Sequence, residues 1–130
     1  MLQSKIKNEL ENMIEYFNFE DSEFTASIKI CSNFSLFPVH FPENPILPGF
    51  CQIQLILVAF NKIYNKNFLL HKINRAKFYN IVTPADNIFL ECSFSIEDSI
   101  LYLKAIINKK DSKSTKISFL KLTASLEEEL

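Results

Sequence analysis

His40 and Gly49 are the two residues whose types and spacing point to chemistry. Gly49 is the only glycine in 130 residues. Turns elsewhere carry Asn, Asp and Ser, so a glycine kept at this one place suggests a position with no room for a Cβ. Pro48 precedes it and a long apolar run follows, which reads as the N-terminus of a helix. The first N–H groups of a helix have no intrahelical partner and carry the positive end of its dipole. They suit a carbonyl oxygen that gains negative charge. His40 stands nine residues earlier in a proline-rich segment. Removing a proton α to a thioester carbonyl needs a base of near-neutral pKa and a donor for the enolate oxygen. His40 can supply the base and the Gly49 N–H the donor. His71, the second histidine, has no such surroundings and reads as a solvated side chain.

The elements that must position this pair follow from periodicity. Ile6, Leu10, Met13, Ile14 and Phe17 recur at helical spacing, which predicts an amphipathic helix over residues 4–18. Phe24, Ala26, Ile28 and Ile30 alternate with polar residues, which predicts a strand over 23–31. Pro38, Pro42, Pro45 and Pro48 then exclude any regular element over 36–48 and leave a stiff loop. From Gly49 to about Tyr64 the chain is apolar on all sides, the pattern of a buried helix about 24 Å long. Strands are expected over 72–82, 88–96, 100–108 and 115–125 in meander-like succession, with turns at 83–87, 97–99 and 109–114. Residues 126–130 read as a frayed acidic tail. A long hydrophobic helix needs a wrapping, and an antiparallel sheet curled round it is the simplest one. The fold class is therefore α+β, a single domain over 1–130.

Composition narrows the function classes. Net charge is −1, so nothing global favours nucleic acid. Thirteen phenylalanines without a tryptophan indicate a dry, bulky core or an apolar slot. The longest uncharged run, Asn44 to Asn61, is too short and too interrupted to cross a bilayer. Cys31, Cys51 and Cys92 lack metal-type spacing and read as reduced core thiols of a cytoplasmic protein. No cofactor or metal is implied. Charge is unevenly spread. Six acids crowd residues 1–23, whereas between Glu43 and Asp86 the only charged residues are Lys62, Lys66, Lys72, Arg75 and Lys77. That segment reads either as a solvated face or as a docking patch for an acidic partner.

The string His40-Phe41-Pro42-Glu43-Asn44-Pro45-Ile46-Leu47-Pro48-Gly49 resembles the motif of the bacterial β-hydroxyacyl-acyl-carrier-protein dehydratases, FabZ and FabA. Ile73 to Phe78 followed by Val82-Thr83-Pro84-Ala85-Asp86 resembles that family's strand and Pro-Gly-Asp turn, with Ala85 in the glycine's place. The resemblance covers about residues 24–125. It implies a hot-dog fold, a homodimer or an oligomer of dimers, and active sites at the subunit interface. It implies His40 as base and the Gly49 N–H as carbonyl donor. Phe41, Pro48, Phe50 and Cys51 would line the acyl slot. The carrier protein, bearing a β-hydroxyacyl chain, would dock on Lys62, Lys66, Arg75 and Lys77. The family's helix carboxylate falls fourteen residues after the histidine, where this chain has Gln54. Glutamine can hold a hydroxyl but cannot donate a catalytic proton at ordinary pH. On an apolar helix it also reads as a buried amide bonded to backbone.

Three functions are compatible with these residues. One is dehydration of a β-hydroxyacyl thioester, in fatty acid synthesis or a specialised pathway such as aryl-polyene synthesis. The second is a non-catalytic acyl-binding subunit. The third is a hot-dog thioesterase, disfavoured because residues 49–65 hold no carboxylate to activate water.

Overall fold

The computed structural model describes residues 4–39, 42–84 and 86–129. In chain order the elements are α1 (Ser4–Asn12), β1 (Ile14–Phe19), β2 (Glu23–Lys29), α2 (Gly49–Tyr64), β3 (Phe68–Phe78), β4 (Asn87–Glu97), β5 (Ile100–Lys110) and β6 (Lys116–Glu128). The strands form one antiparallel sheet ordered β1-β2-β4-β5-β6-β3. Its inner face is built by alternation. Ile88, Leu90 and Cys92 on β4, Leu101, Leu103, Ala105 and Ile107 on β5, and Leu120, Leu122 and Ala124 on β6 are all buried. They share one core with the apolar side chains of α2. This is the α+β hot-dog architecture, a sheet wrapped around one long helix.

Helix α2 covers the expected residues, and its sequence explains both ends. Pro48 at the N-cap has φ −59° and ψ 149°, extended backbone that cannot continue upstream as helix. At the other end Asn65 turns left-handed at φ 53° and donates its N–H to the Asn61 carbonyl. The Asn61 side chain then bonds both the N–H and the carbonyl of Phe68, starting β3. Left-handed positions fall on Asn65, Asp98, Ser99 and Ser114, so polar residues fill the turns and Gly49 is not among them.

Four expectations are corrected. The N-terminal helix stops at Asn12, and Ile14 to Phe19 form β1, paired with β2. Helical spacing ran on through Ile14 and Phe17 by coincidence, but the aromatic cluster Tyr16-Phe17-Phe19 fits a pleated surface. The sheet therefore has one strand more than expected. β3 begins at Phe68 and ends at Phe78, four residues earlier at each end than the 72–82 expected. Nor do the later strands form a simple meander, because β3 crosses to the far edge and pairs with β6. The acidic tail is not frayed up to Glu128, since Leu126 is buried and paired with Leu70 and Leu101.

Two contacts fix the stiff loop. Leu47, just before α2, pairs with Val82 through an N–H···O bond of 2.7 Å, and both side chains are buried. Glu9 of α1 accepts from the N–H and the hydroxyl of Ser35, each at 2.9 Å. Among the described residues no helix is long and apolar enough to cross a membrane.

Candidate functional site at the N-terminus of the buried helix

The N-terminus of α2 is uncapped. Pro48 gives no side-chain hydrogen bond, and the first N–H of the helix with a partner is that of Gln52, bonded to the Pro48 carbonyl at 3.1 Å. Among the described residues the N–H groups of Gly49, Phe50 and Cys51 have no acceptor. Three parallel donors at the positive end of a sixteen-residue helix make a site for an oxygen that gains charge.

Gly49 lacks a Cβ for a steric reason. The Phe78 ring from the end of β3 lies over it, and a Cβ would meet Phe78 Cζ at 2.7 Å. The glycine lets an aromatic ring close over the helix tip, and the requirement is close approach rather than a positive φ. The ring itself is 46 % exposed, so it forms a wall and not a plug.

An uncovered apolar strip runs away from this tip. On α2, Phe50, Gln54, Leu57 and Asn61 recur at helical spacing and are the incompletely buried positions along one face. On β3, Ile73, Ala76 and Phe78 are in register with the buried Ala124, Leu122 and Leu120 of β6, so they sit on the inner face of the sheet. Yet Ile73 is 42 % exposed and Phe78 46 %. The inner face of this sheet is thus left open along β3, beside the half-buried stripe of α2. Gln54 lies in that stripe, between Phe50 and Leu57.

The other candidate residues fall as follows. His40 and Phe41 lie outside the described residues. Phe50 is 53 % exposed at the helix tip, next to the half-buried Pro48. Cys51 is turned into the core, where burial pushes its thiol up to about 11 and keeps it protonated. Cys92 is likewise raised by burial to about 12. The four basic candidates do not form one patch. Lys62 and Lys66 lie at the C-terminal end of α2, where Lys62 donates to the Glu11 carbonyl and Lys66 borders a groove rimmed by Asp21, Glu127 and Glu128. Arg75 and Lys77 lie on the outer face of β3, lining a groove with Tyr79, Lys104 and Lys121. His71 pairs with Glu127 at 3.2 Å on the surface.

Three features escaped the sequence reading. Gln52, 2 % exposed, has an amide oxygen with no partner among the described residues. Only its place inside an apolar helix hinted at this. The contact of Phe78 with Gly49 joins two motifs that were read separately. Asp86 is the hub of the turn after β3. Burial alone would raise its carboxyl, but hydrogen bonds from Lys109 and Thr83 outweigh that and hold it below the usual carboxylate range.

Comparisons with known proteins agree with this fold. The family model described as ApeI-like, ApeI dehydratase, matches residues 16–117. A 3-hydroxyacyl-[acyl-carrier-protein] dehydratase FabZ of Protochlamydia amoebophila is 29% identical over 109 residues, 77% of this chain and 71% of the relative. A FabZ of Clostridium beijerinckii is 28% identical over 81 residues, 56% of this chain and 57% of that relative's length. Among solved structures, a chain of the dehydratase heterocomplex ApeI:P from Xenorhabdus doucetiae superposes with a TM-score of 0.69 at 17% identity, covering 87% of this chain and 95% of that one. At that identity the superposition establishes the fold.

Proposed function

Since this chain belongs to the ApeI-like dehydratase family, we propose that it removes water from a β-hydroxyacyl thioester held on an acyl carrier protein, leaving the enoyl thioester. His40 takes the proton from the α-carbon. The Gly49 N–H, with its neighbours at the helix tip, holds the thioester oxygen as negative charge builds on it. The C–O bond at the β-carbon breaks as the double bond forms. The proton on His40 passes to the departing hydroxyl, which leaves as water, so one imidazole serves as base and then as acid. Gln54 holds the β-hydroxyl by hydrogen bonds. The acyl chain lies along Phe50, Leu57, Ile73 and Phe78, enclosed when a second subunit covers the strip. The acidic carrier docks on Arg75 and Lys77 together with Lys104 and Lys121, because Lys66 borders the acids Asp21, Glu127 and Glu128 and Lys62 is drawn to the Glu11 carbonyl.

The observation that carries this reading is the uncapped helix tip under the Phe78 ring. The test is turnover of a β-hydroxyacyl carrier substrate by the native chain and by Gln54→Glu, across chain lengths. Native turnover supports the proposal. Absence of water loss at every chain length, in both proteins, contradicts it.

A second reading is favoured by one observation, the lack of any Asp or Glu on α2. The chain would then be an acyl-binding subunit that works beside a carboxylate-bearing partner, as the heterocomplex of its structural relative suggests by analogy. Gln54→Glu creating activity from nothing would favour it.

A further inference from the structure

Two neighbouring rows on the outer face of the sheet carry opposite charges at their two ends, and the strand registers align them. One row across the strands reads Glu23, Ser93, Lys104, Thr123, Arg75. The neighbouring row reads Thr25, Glu91, Ile106, Lys121, Lys77. In both rows the acid stands on the β2–β4 side and the cations on the β5–β6–β3 side. Lys77 lies directly opposite Lys121, a like-charge pair that costs stability. Among the described residues none of Glu23, Glu91, Arg75, Lys77, Lys104 or Lys121 has an ion-pair partner. Glu91 only accepts from the Asn108 amide. Tyr79 lies under both Lys77 and Lys121, at 5.0 and 5.6 Å from the ring centroid, which holds these two cations together.

We propose that this face binds a second copy of itself. Turn one copy by a half-rotation about an axis parallel to the strands, placed above the boundary between β4 and β5. The acidic half of each copy then lies over the basic half of the other, with both charge rows still level. That is the self-complementarity a two-fold interface demands. Five inter-strand gaps of about 4.8 Å, limited in length by the six and seven residues of β1 and β2, give an overlap of roughly 500 Å² per partner, the size of a weak, reversible interface. The interface differs from the β3 strip on the inner face, so it joins units already formed there. The four cations are also the docking residues of the proposed function, so pairing and carrier docking exclude each other. Only that exclusion rests on the functional reading.

Sedimentation velocity of the full chain tests the pairing. Four samples are compared: the native chain, the double variant Lys104→Glu/Lys121→Glu, the double variant Glu23→Lys/Glu91→Lys, and an equal mixture of the two variants. The native chain doubles in mass with rising concentration, and raising salt from roughly 0.05 to 0.5 M weakens that step at least tenfold. Each variant alone fails to double. The mixture doubles again, because each variant now offers what the other lacks, and this recovery also shows that both are folded. A native chain that does not double, a doubling indifferent to salt, or variants that double as the native chain does would overturn the proposal. Should a variant fail to fold, the native salt series decides alone. Acidic carrier that binds the doubled species without dissociating it would remove the exclusion and the docking site, and leave the pairing intact.

Discussion

Single side chains decide how sharp the site can be. Adding a methyl at residue 49 drives it into the Phe78 ring. Gly49→Ala is therefore expected to push the half-exposed Phe78 ring aside and to lower the thermal midpoint, at a cost of about 1 kcal/mol, the low end of overpacking. Phe78→Leu in the same chain should recover much of that loss, as residues in contact couple. Thermal melts of the single and double variants check this, and simple additivity would refute the contact. The orphaned oxygen of Gln52 has a cost of the order of 1–3 kcal/mol. Gln52→Met, of similar length and apolar, should melt at the same temperature or higher, and a clear fall would show that the oxygen has a partner. Cys51, held protonated by burial, is expected to resist iodoacetamide at pH 8 while the half-buried Cys31 reacts first, as peptide mass mapping would report.

Individual elements show where a sequence speaks and where it does not. The bounds of α2 are legible because Pro48, Gly49 and a long, mostly apolar run coincide there. Those of α1 are not, because Ile14 and Phe17 continue the helical spacing by chance, and only pairing with β2 decides. The β4–β5 turn was visible from Asp98 and Ser99, although both adopt a left-handed conformation better suited to glycine. Ser99→Gly should stabilise the hairpin by about 1 kcal/mol, read from denaturant midpoints. The turn ending in Asp86 has a pH signature. Its carboxyl is depressed in the folded chain by Lys109 and Thr83 against the opposing effect of burial. Its contribution is thus complete above the unfolded value of about 3.9 and disappears as pH falls through the lower folded value. Melting curves of the native chain and Asp86→Asn should differ at neutral pH and converge in acid. A constant difference at all pH values would remove the carboxylate from the account.

At the scale of the whole molecule, the sequence revealed a helix enclosed by a sheet and the two ends of a motif. It did not reveal what three-dimensional pairing creates. Arg75 and Lys77 acquire Lys104 and Lys121 as neighbours only through the β5–β6–β3 register, and lose Lys62 and Lys66 to the other end of α2. Gln54 takes its place beside β3 only once the inner face is seen to be left open there. What depends on all of this is elimination of water at the helix tip with His40 as the proton carrier. The most direct measurement is the rate of enoyl formation from a β-hydroxyacyl carrier substrate by the native chain and by His40→Ala, with substrate binding followed in parallel. The account predicts water loss by the native chain and a fall of about 10²-fold or more in His40→Ala, with binding retained. Equal rates in the two proteins would contradict it.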